Sequence, residues 1–237
     1  KLTFELGGKG ATVIFEDADL SQAIPAAVRS AFRNQGQICL AGSRLFVQKS
    51  ILEQALPEIT AAVQAIRVGN PLLPETRMGS LISREQFEKV LRYVELGKRE
   101  GKLLVGGKPI SQAESLGKGY FMQPTVFTHL PNESPICQEE IFGPVLPIIP
   151  FETEQDAIDM VNSTRYGLSA SVWSRDVNRC HRVSQGIRAG IVWVNCWFAR
   201  DLRTPFGGMK ASGIGREGGR YALEFFSEAK TVAYRYQ

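Results

Sequence analysis

Short, nearly all-apolar segments alternate with helical patterns along most of this chain, and that alternation fixes the fold class. ATVIFED (11–17), RLFVQ (44–48), KLLVGG (102–107), PTVFTHL (124–130), VLPIIPF (145–151), LSASVWS (168–174) and AGIVWVNC (189–196) read as strands. Between them, Asp19 can cap a helix running past Ser30, and a second helical stretch spans Ile51 to Ile66. Ser83 caps the clearest helix, where Phe87, Val90, Leu91 and Val94 fall at i, i+3, i+4 and i+7. TEQDAIDMVNS (153–163), DVNRCHRVSQGI (176–187) and GGRYALEFFSEA (218–229) complete the helices, and TVAYRY (231–236) reads as a last strand. Strands buried on both faces lose the apolar–polar alternation of a half-exposed sheet. The expected fold is therefore α/β, a mostly parallel sheet flanked by helices. VGNPLLPETRMGS (68–80) is a loop, and residues 196–216 form a long glycine-rich stretch with three arginines. A loop of that length without regular structure tends to be functional.

Composition excludes several classes. The 237 residues are 43% hydrophobic and 22% charged, ordinary values for a globular protein. The net charge of +4 is spread along the chain, so neither a nucleic-acid arm nor a membrane-surface patch is expected. No apolar run reaches membrane-span length, and the opening KLTFELGGKG lacks the apolar core of a signal peptide. The chain enters a strand-like LTFEL with no initiator methionine, which reads as a fragment or a processed product. Its four cysteines, Cys39, Cys137, Cys180 and Cys196, form no CxxC pair, so a reducing, cytoplasmic setting is expected. With only His129 and His181, no metal site is expected.

Four stretches carry candidate chemistry. RNQGQICLAGSR (33–44) sets Cys39 among glycine, amides and small residues, where main-chain N–H groups can face a ligand. A free thiol has a pKa near 8.5, so a nucleophilic cysteine needs such donors, a positive field or a base; the competing reading is a small buried hydrophobe in a turn. FELGGKG (4–10) places Glu5 among apolar strand residues, where burial raises a carboxyl pKa and makes a general base; the competing reading is a strand-end pair with Lys9. QEEIFGPVLP (138–147) has adjacent acids, which point to opposite faces of a strand and cannot flank one bond as glycosidase acids do. One of them facing a cofactor hydroxyl fits better. SGIGREGG (212–219) matches G-x-G-x-x-G but lacks the preceding strand and the later acid of a dinucleotide fingerprint, so it reads as a surface loop entering the last helix. Cys180 has the helical spacing of a core residue with Val177 and Val183.

FELGGKG, FRNQGQICLAGSR, EEIFGPV, NSTRYGLSASVWS and PFGGMKASGIGREGG together resemble the aldehyde dehydrogenase superfamily, in that family's order and over essentially the whole chain. NCWFARDLRTPFGG resembles the branch that oxidises 2-aminomuconic and 2-hydroxymuconic semialdehydes. The resemblance implies that Cys39 is the catalytic thiol and Glu5 the general base. It implies that Glu140 holds the nicotinamide ribose with Phe142 beside it, and that Asn195 shapes the active-site floor. One departure is Gly10, where the family commonly has Ser, Asn or Asp; it lies outside the chemistry. Cys196, next to Asn195, takes a supporting role.

The activity implied by the resemblance is that of a dehydrogenase using NAD, or NADP, on a small-molecule aldehyde. It runs through a cysteine adduct and a thioester that Glu5-activated water hydrolyses. Muconic semialdehydes carry a carboxylate, so Arg200 and then Arg203 are the expected guanidinium partners. The implied layout is 1–8 as the end of a cofactor-binding domain, 9–207 as the catalytic domain, and 208–237 as a C-terminal helix with an oligomerisation strand. The family's main NAD-binding domain and its second oxyanion donor lie upstream of the Glu5 motif. This chain alone is therefore expected to bind NAD weakly or not at all, to be inactive and to join a homo-oligomer. Two other readings remain: an inactive module that acts by oligomerising, and a cysteine hydrolase using His129 or His181.

Overall fold

The computed structural model describes residues 1–110 and 119–237. Seven strands form one sheet in the order β4-β5-β6-β3-β2-β8-β9. These are β2 (Ala11–Ile14), β3 (Arg44–Gln48), β4 (Lys102–Val105), β5 (Thr125–Thr128), β6 (Val145–Phe151), β8 (Ser169–Trp173) and β9 (Ile191–Val194). Every neighbouring pair is parallel except the edge pair β4–β5. Parallel neighbours need crossovers, and helices supply them on both faces. The mostly parallel α/β sheet expected from the apolar runs is the one found.

The pleat sorts the core. Val13, Phe15, Phe46 and Val172 turn to one face, where α3 (Arg84–Glu100), α5 (Glu154–Asn162) and α6 (Val177–Gly186) bury Val90, Val94, Ala157, Val161 and Val183. Ile14, Leu45, Val47 and Ile148 turn to the other, beneath α1 (Leu20–Phe32) and α2 (Leu52–Gln64). The caps are local. Asp19 accepts from the Ser21 N–H, Ser83 from the Gln86 N–H, and Thr153 and Asp156 form a reciprocal capping box. Cys180 is buried, as its spacing predicts, although Val177 on the same helix is exposed.

The chain approaches the sheet's amino edge repeatedly with motif residues. Gly7 and Gly8 lead into β2, Cys39 into β3, Glu140 into β6 and Leu168 into β8. Arg44, only 2% exposed, ties this edge together by donating to the carbonyls of Lys9, Met160 and Val161. Its charge is tolerated inside because its donors find acceptors.

Three details differ from the sequence reading. The glycine-rich stretch is partly ordered: β10 (Met209–Lys210) pairs with β7 (Tyr166–Gly167), and β11 (Gly213–Ile214) pairs with β1 (Phe4–Glu5). A short helix α4 (Pro135–Gln138), capped by Ser134, stands where the sequence shows no helical period. After α7 (Gly219–Phe226), TVAYRY is exposed and pairs with none of the described residues, so it is not a strand here. A short extended segment has no ladder to join without a partner strand.

Candidate active site

The amides around Cys39 build its turn. Asn34, Gln35 and Gly36 all take left-handed φ values, of 51°, 60° and 71°. Such a run is strained for side-chain-bearing residues and persists only when held. The holding contacts are Asn34 Nδ2 donating to the Gln37 carbonyl, and Gln35 and Gln37 accepting from the Gly79 and Ile82 N–H groups. At Gly36 only glycine fits, because a Cβ would lie 2.4 Å from the Gly143 carbonyl oxygen.

Cys39 is half-buried against Leu40, Leu168, Trp193 and Trp197, with Ile38, Cys196 and Phe206 at the margin of that cluster. Trp197 donates its indole N–H to the Leu40 carbonyl at 3.2 Å. Gly8 runs so close that a Cβ on it would stand 2.7 Å from the Cys39 carbonyl oxygen. The Gly8 N–H donates to Glu140 Oε1 at 2.9 Å. Three sequence motifs thus meet at one point on the sheet edge.

Burial raises the Cys39 thiol pKa, and the Glu5 and Glu140 carboxylates raise it further. The N–H groups of Leu40 and of Cys39 itself pull it back down. The charges of Glu5 and Glu140 are thus felt at the Cys39 sulfur. Cys137 and Cys180 are buried core thiols, while Cys196 lies beside the site with its own pKa raised by burial.

Glu5 is carried by the two-residue strand β1 and is exposed, which corrects the expectation of a buried carboxyl. Two-residue strands bury little. Its pKa is nonetheless raised, by desolvation first and the Glu217 carboxylate second, against the Gly208 amide and the Arg216 and Arg200 guanidiniums. A pair with Lys9 is absent: Lys9 is 3% exposed and its Nζ finds no hydrogen-bond partner among the described residues. SGIGREGG, read as a surface loop, includes β11 and so supplies the partner strand that places Glu5.

The two adjacent acids point apart, although neither lies in a strand: they follow the end of α4. Glu139 accepts from the Tyr93 hydroxyl, and Glu140 turns to Gly8. Glu140 and Phe142 line a small crevice with Gly8, Ile38 and Ala41. Phe142 holds a φ of 56°, fixed by Gln86 Nε2 donating to the carbonyls of Ile141 and Phe142.

The other candidates fall less neatly. Asn195 follows β9 at the carboxyl edge of the sheet, where its side-chain amide both donates to and accepts from the Ser174 backbone. Its amide clasps two strand ends there, and no hydrogen bond takes it to Cys39. Arg200 lays its guanidinium over Phe206, 4.4 Å from the ring centroid, and its charge reaches Glu5. Arg203 is spent on Asp201 with its side chain 88% exposed. An Asp two residues upstream in a turn captures it, which a motif comparison does not reveal. Neither histidine is among the groups that perturb or pack against Cys39. Trp197 and Arg33, the latter over the Phe198 ring, are missed by sequence reasoning; the aromatic pair in CWF is the signal for them. Among the described residues no cluster of His, Cys, Asp and Glu could hold a metal ion, and no helix is long and apolar enough to cross a membrane.

The sequence profile of the aldehyde dehydrogenase family matches residues 1–232. This chain belongs to that family. It is 49% identical over its full length to 2-aminomuconic semialdehyde dehydrogenase of Mus musculus, and covers 49% of that relative. It is 45% identical to 2-hydroxymuconic semialdehyde dehydrogenase of Pseudomonas sp. (strain CF600), covering 99% of this chain and 48% of the relative. Among solved structures, HpcC from Thermus thermophilus matches 98% of this chain and 47% of its own, with a TM-score of 0.91 and 44% identity. The P. syringae indole-3-acetaldehyde dehydrogenase solved with NAD+ and IAA matches 97% of this chain and 46% of its own, at 0.93 and 40% identity. The chain therefore spans about half the length of the family members it matches. Glu5, Cys39 and Glu140 lie in the motifs that resemble this family, and the fold brings those motifs to one edge.

Proposed function

We propose that the protein carrying this chain is an NAD(P)-dependent dehydrogenase of carboxylate-bearing aldehydes, with Cys39 as nucleophile and Glu5 as base. The observation that carries this reading is the meeting of three motifs at Cys39: Gly8 packs on the Cys39 carbonyl and donates to Glu140, and Trp197 holds the carbonyl of Leu40. A thiol adds to an aldehyde carbon, and its proton needs an acceptor. Glu5, whose pKa is raised and whose charge is felt at the sulfur, is suited to take it. The aldehyde oxygen becomes an oxyanion, and the Cys39 and Leu40 N–H groups beside the sulfur are available to donate to it. One such donor is worth about 3 kcal/mol to the transition state.

The chain's acceptors suit a nicotinamide ribose. Glu140 Oε1 is fixed by Gly8, and Oε2 makes no hydrogen bond among the described residues, so it can accept from a sugar hydroxyl. Phe142 closes the crevice beside it. When bound there, the nicotinamide supplies the acceptor for the aldehyde hydride. Loss of that hydride leaves an acyl thioester on Cys39, and Glu5 then draws a proton from the attacking water.

Arg200 supports an acidic substrate, because its charge reaches Glu5 at the same cleft and it forms no ion pair among the described residues. The two muconic semialdehyde relatives agree in kind. In the whole protein, Cys39→Ala is expected to abolish aldehyde-dependent NADH formation. Glu5→Gln is expected to slow the single-turnover burst and to lower the steady state further, by about a hundredfold or more. Steady turnover surviving Cys39→Ala would overturn the reading.

A further inference from the structure

A second guanidinium rests on the loop that packs on Cys39. Phe198 lies 4.9 Å, ring to ring, from Trp197, whose indole N–H binds the carbonyl of Leu40, the residue after Cys39. Over Phe198 stands Arg33, its guanidinium carbon 5.9 Å from the ring centroid. Arg33 opens the turn that ends in Cys39, whereas Arg200 comes from the loop after β9. Both rest on aromatic rings of one loop, residues 197–206, and that loop packs on Cys39 through Trp197 and Phe206.

The arginines of this chain divide by what they hold. Arg44 is consumed by three carbonyls, Arg179 and Arg182 by Glu154, and Arg203 by Asp201. Arg33 and Arg200 make no ion pair and no side-chain hydrogen bond among the described residues. Stacking engages the face of a guanidinium and leaves its N–H edge free. That edge is the fork that takes a carboxylate with two parallel bonds. Both guanidiniums therefore stand on the one loop that packs on Cys39, each without a carboxylate partner among the described residues.

We infer that Arg33 is a specificity-determining residue which, with Arg200, holds the carboxylate of an acidic aldehyde on its way to Cys39. This rests on the dehydrogenase reading and replaces Arg203 as the second guanidinium. The test compares 6-oxohexanoate with hexanal, equal in length and differing in charge, on the whole protein with NAD(P). Arg33→Ala is expected to raise KM for 6-oxohexanoate by about tenfold or more, to leave that for hexanal within about twofold, and to leave kcat nearly unchanged. Arg33→Lys should recover part of the loss, because it restores the charge without the fork. Arg29→Ala, in the last turn of α1, removes the same charge four residues earlier and should change neither KM. Equal shifts for the two aldehydes, or an unchanged KM for the acid, would overturn the inference. If the unsubstituted protein oxidises neither aldehyde, the dehydrogenase reading fails by itself. Arg33 is then judged by calorimetric titration with hexanoate: weaker binding by Arg33→Ala upholds its carboxylate role, and equal binding removes it.

Discussion

Cys39 and Lys9 are perturbed in ways that solution measurements can read. The Cys39 thiol is raised by burial and by two carboxylates, so its alkylation by iodoacetamide should reach half-maximal rate above the pH of a free thiol. Glu5→Gln removes one of those negative charges and should move that midpoint downward; mass spectrometry of the Cys39 peptide separates it from Cys196. A midpoint that stays put would mean Glu5 does not face the sulfur. Lys9 offers a second sign. Burial first, then the Arg44 charge, push its pKa down to about 7 from 10.5, while Cys137 and Glu140 pull it up and Lys89 adds to the depression. Above pH 7 the folded amine is neutral while the unfolded one still carries its proton. The unfolded state then binds more protons, so stability rises with pH across that window. The slope contributed by one such group approaches about 1.4 kcal/mol per pH unit. Urea unfolding from about pH 7 to 8, below the range in which the unfolded cysteines ionise, should show a rise that Lys9→Met flattens. Cys39, Glu5 and Glu140 stood out as candidates in the sequence because each sits in a glycine-punctuated motif. Arg33 was not, because its partner ring, Phe198, belongs to a loop far along the chain.

Glu5 depends on a pairing between two very short strands, and its weakness makes it testable. β1 and β11 exchange only Phe4 with Ile214 and Glu5 with Gly213. A Cβ at Gly213 would stand 2.2 Å from the Phe4 carbonyl oxygen, so the two backbones approach as closely as only glycine permits. Gly213→Ala in the whole protein should therefore displace β1 and with it the base. Turnover is expected to fall by about tenfold or more, with thioester hydrolysis affected more than the first burst. Burst and steady-state NADH formation by stopped flow separate the two, and a variant with both unchanged would show that β11 does not place Glu5. The long central strands were legible because their apolar runs are bounded by turns. β7, β10 and β11 were not, since two-residue strands carry no period and exist only through their partners, whereas β1 lies inside the strand-like LTFEL. For the same reason the match to G-x-G-x-x-G in SGIGREGG is incidental. Gly213 and Gly215 pack closely against Phe4 and Thr3, and Gly218 against the Thr204 carbonyl.

The chain's unfinished surfaces lie together at its C-terminal end. Tyr221, Leu223 and Phe226 on α7 are each more than half exposed, and so are Val232, Tyr234 and Tyr236 beyond it. The last three alternate, so an extended segment would present them on one face and Thr231, Ala233 and Arg235 on the other. That is the pattern of a strand with a buried side, yet none of the described residues buries it or pairs its backbone. Exposed apolar residues scattered singly need no explanation, but an alternating run with unpaired N–H and C=O groups is a template for another strand. The occupant argued from this pattern is a second copy of the protein, as the family resemblance also implies. Residues 228–237 form no part of the core, so their removal should leave the fold intact. The truncated whole protein is therefore expected to keep its far-ultraviolet dichroism while its mass by light scattering falls to a smaller assembly. An unchanged mass would place the oligomeric contact elsewhere and leave the apolar alternation without a role. A smaller mass with reduced turnover would add that β1, and so Glu5, is steadied by the assembled C-terminal segment, because Lys1 already bridges β1's leading end to Ser227 and Glu228.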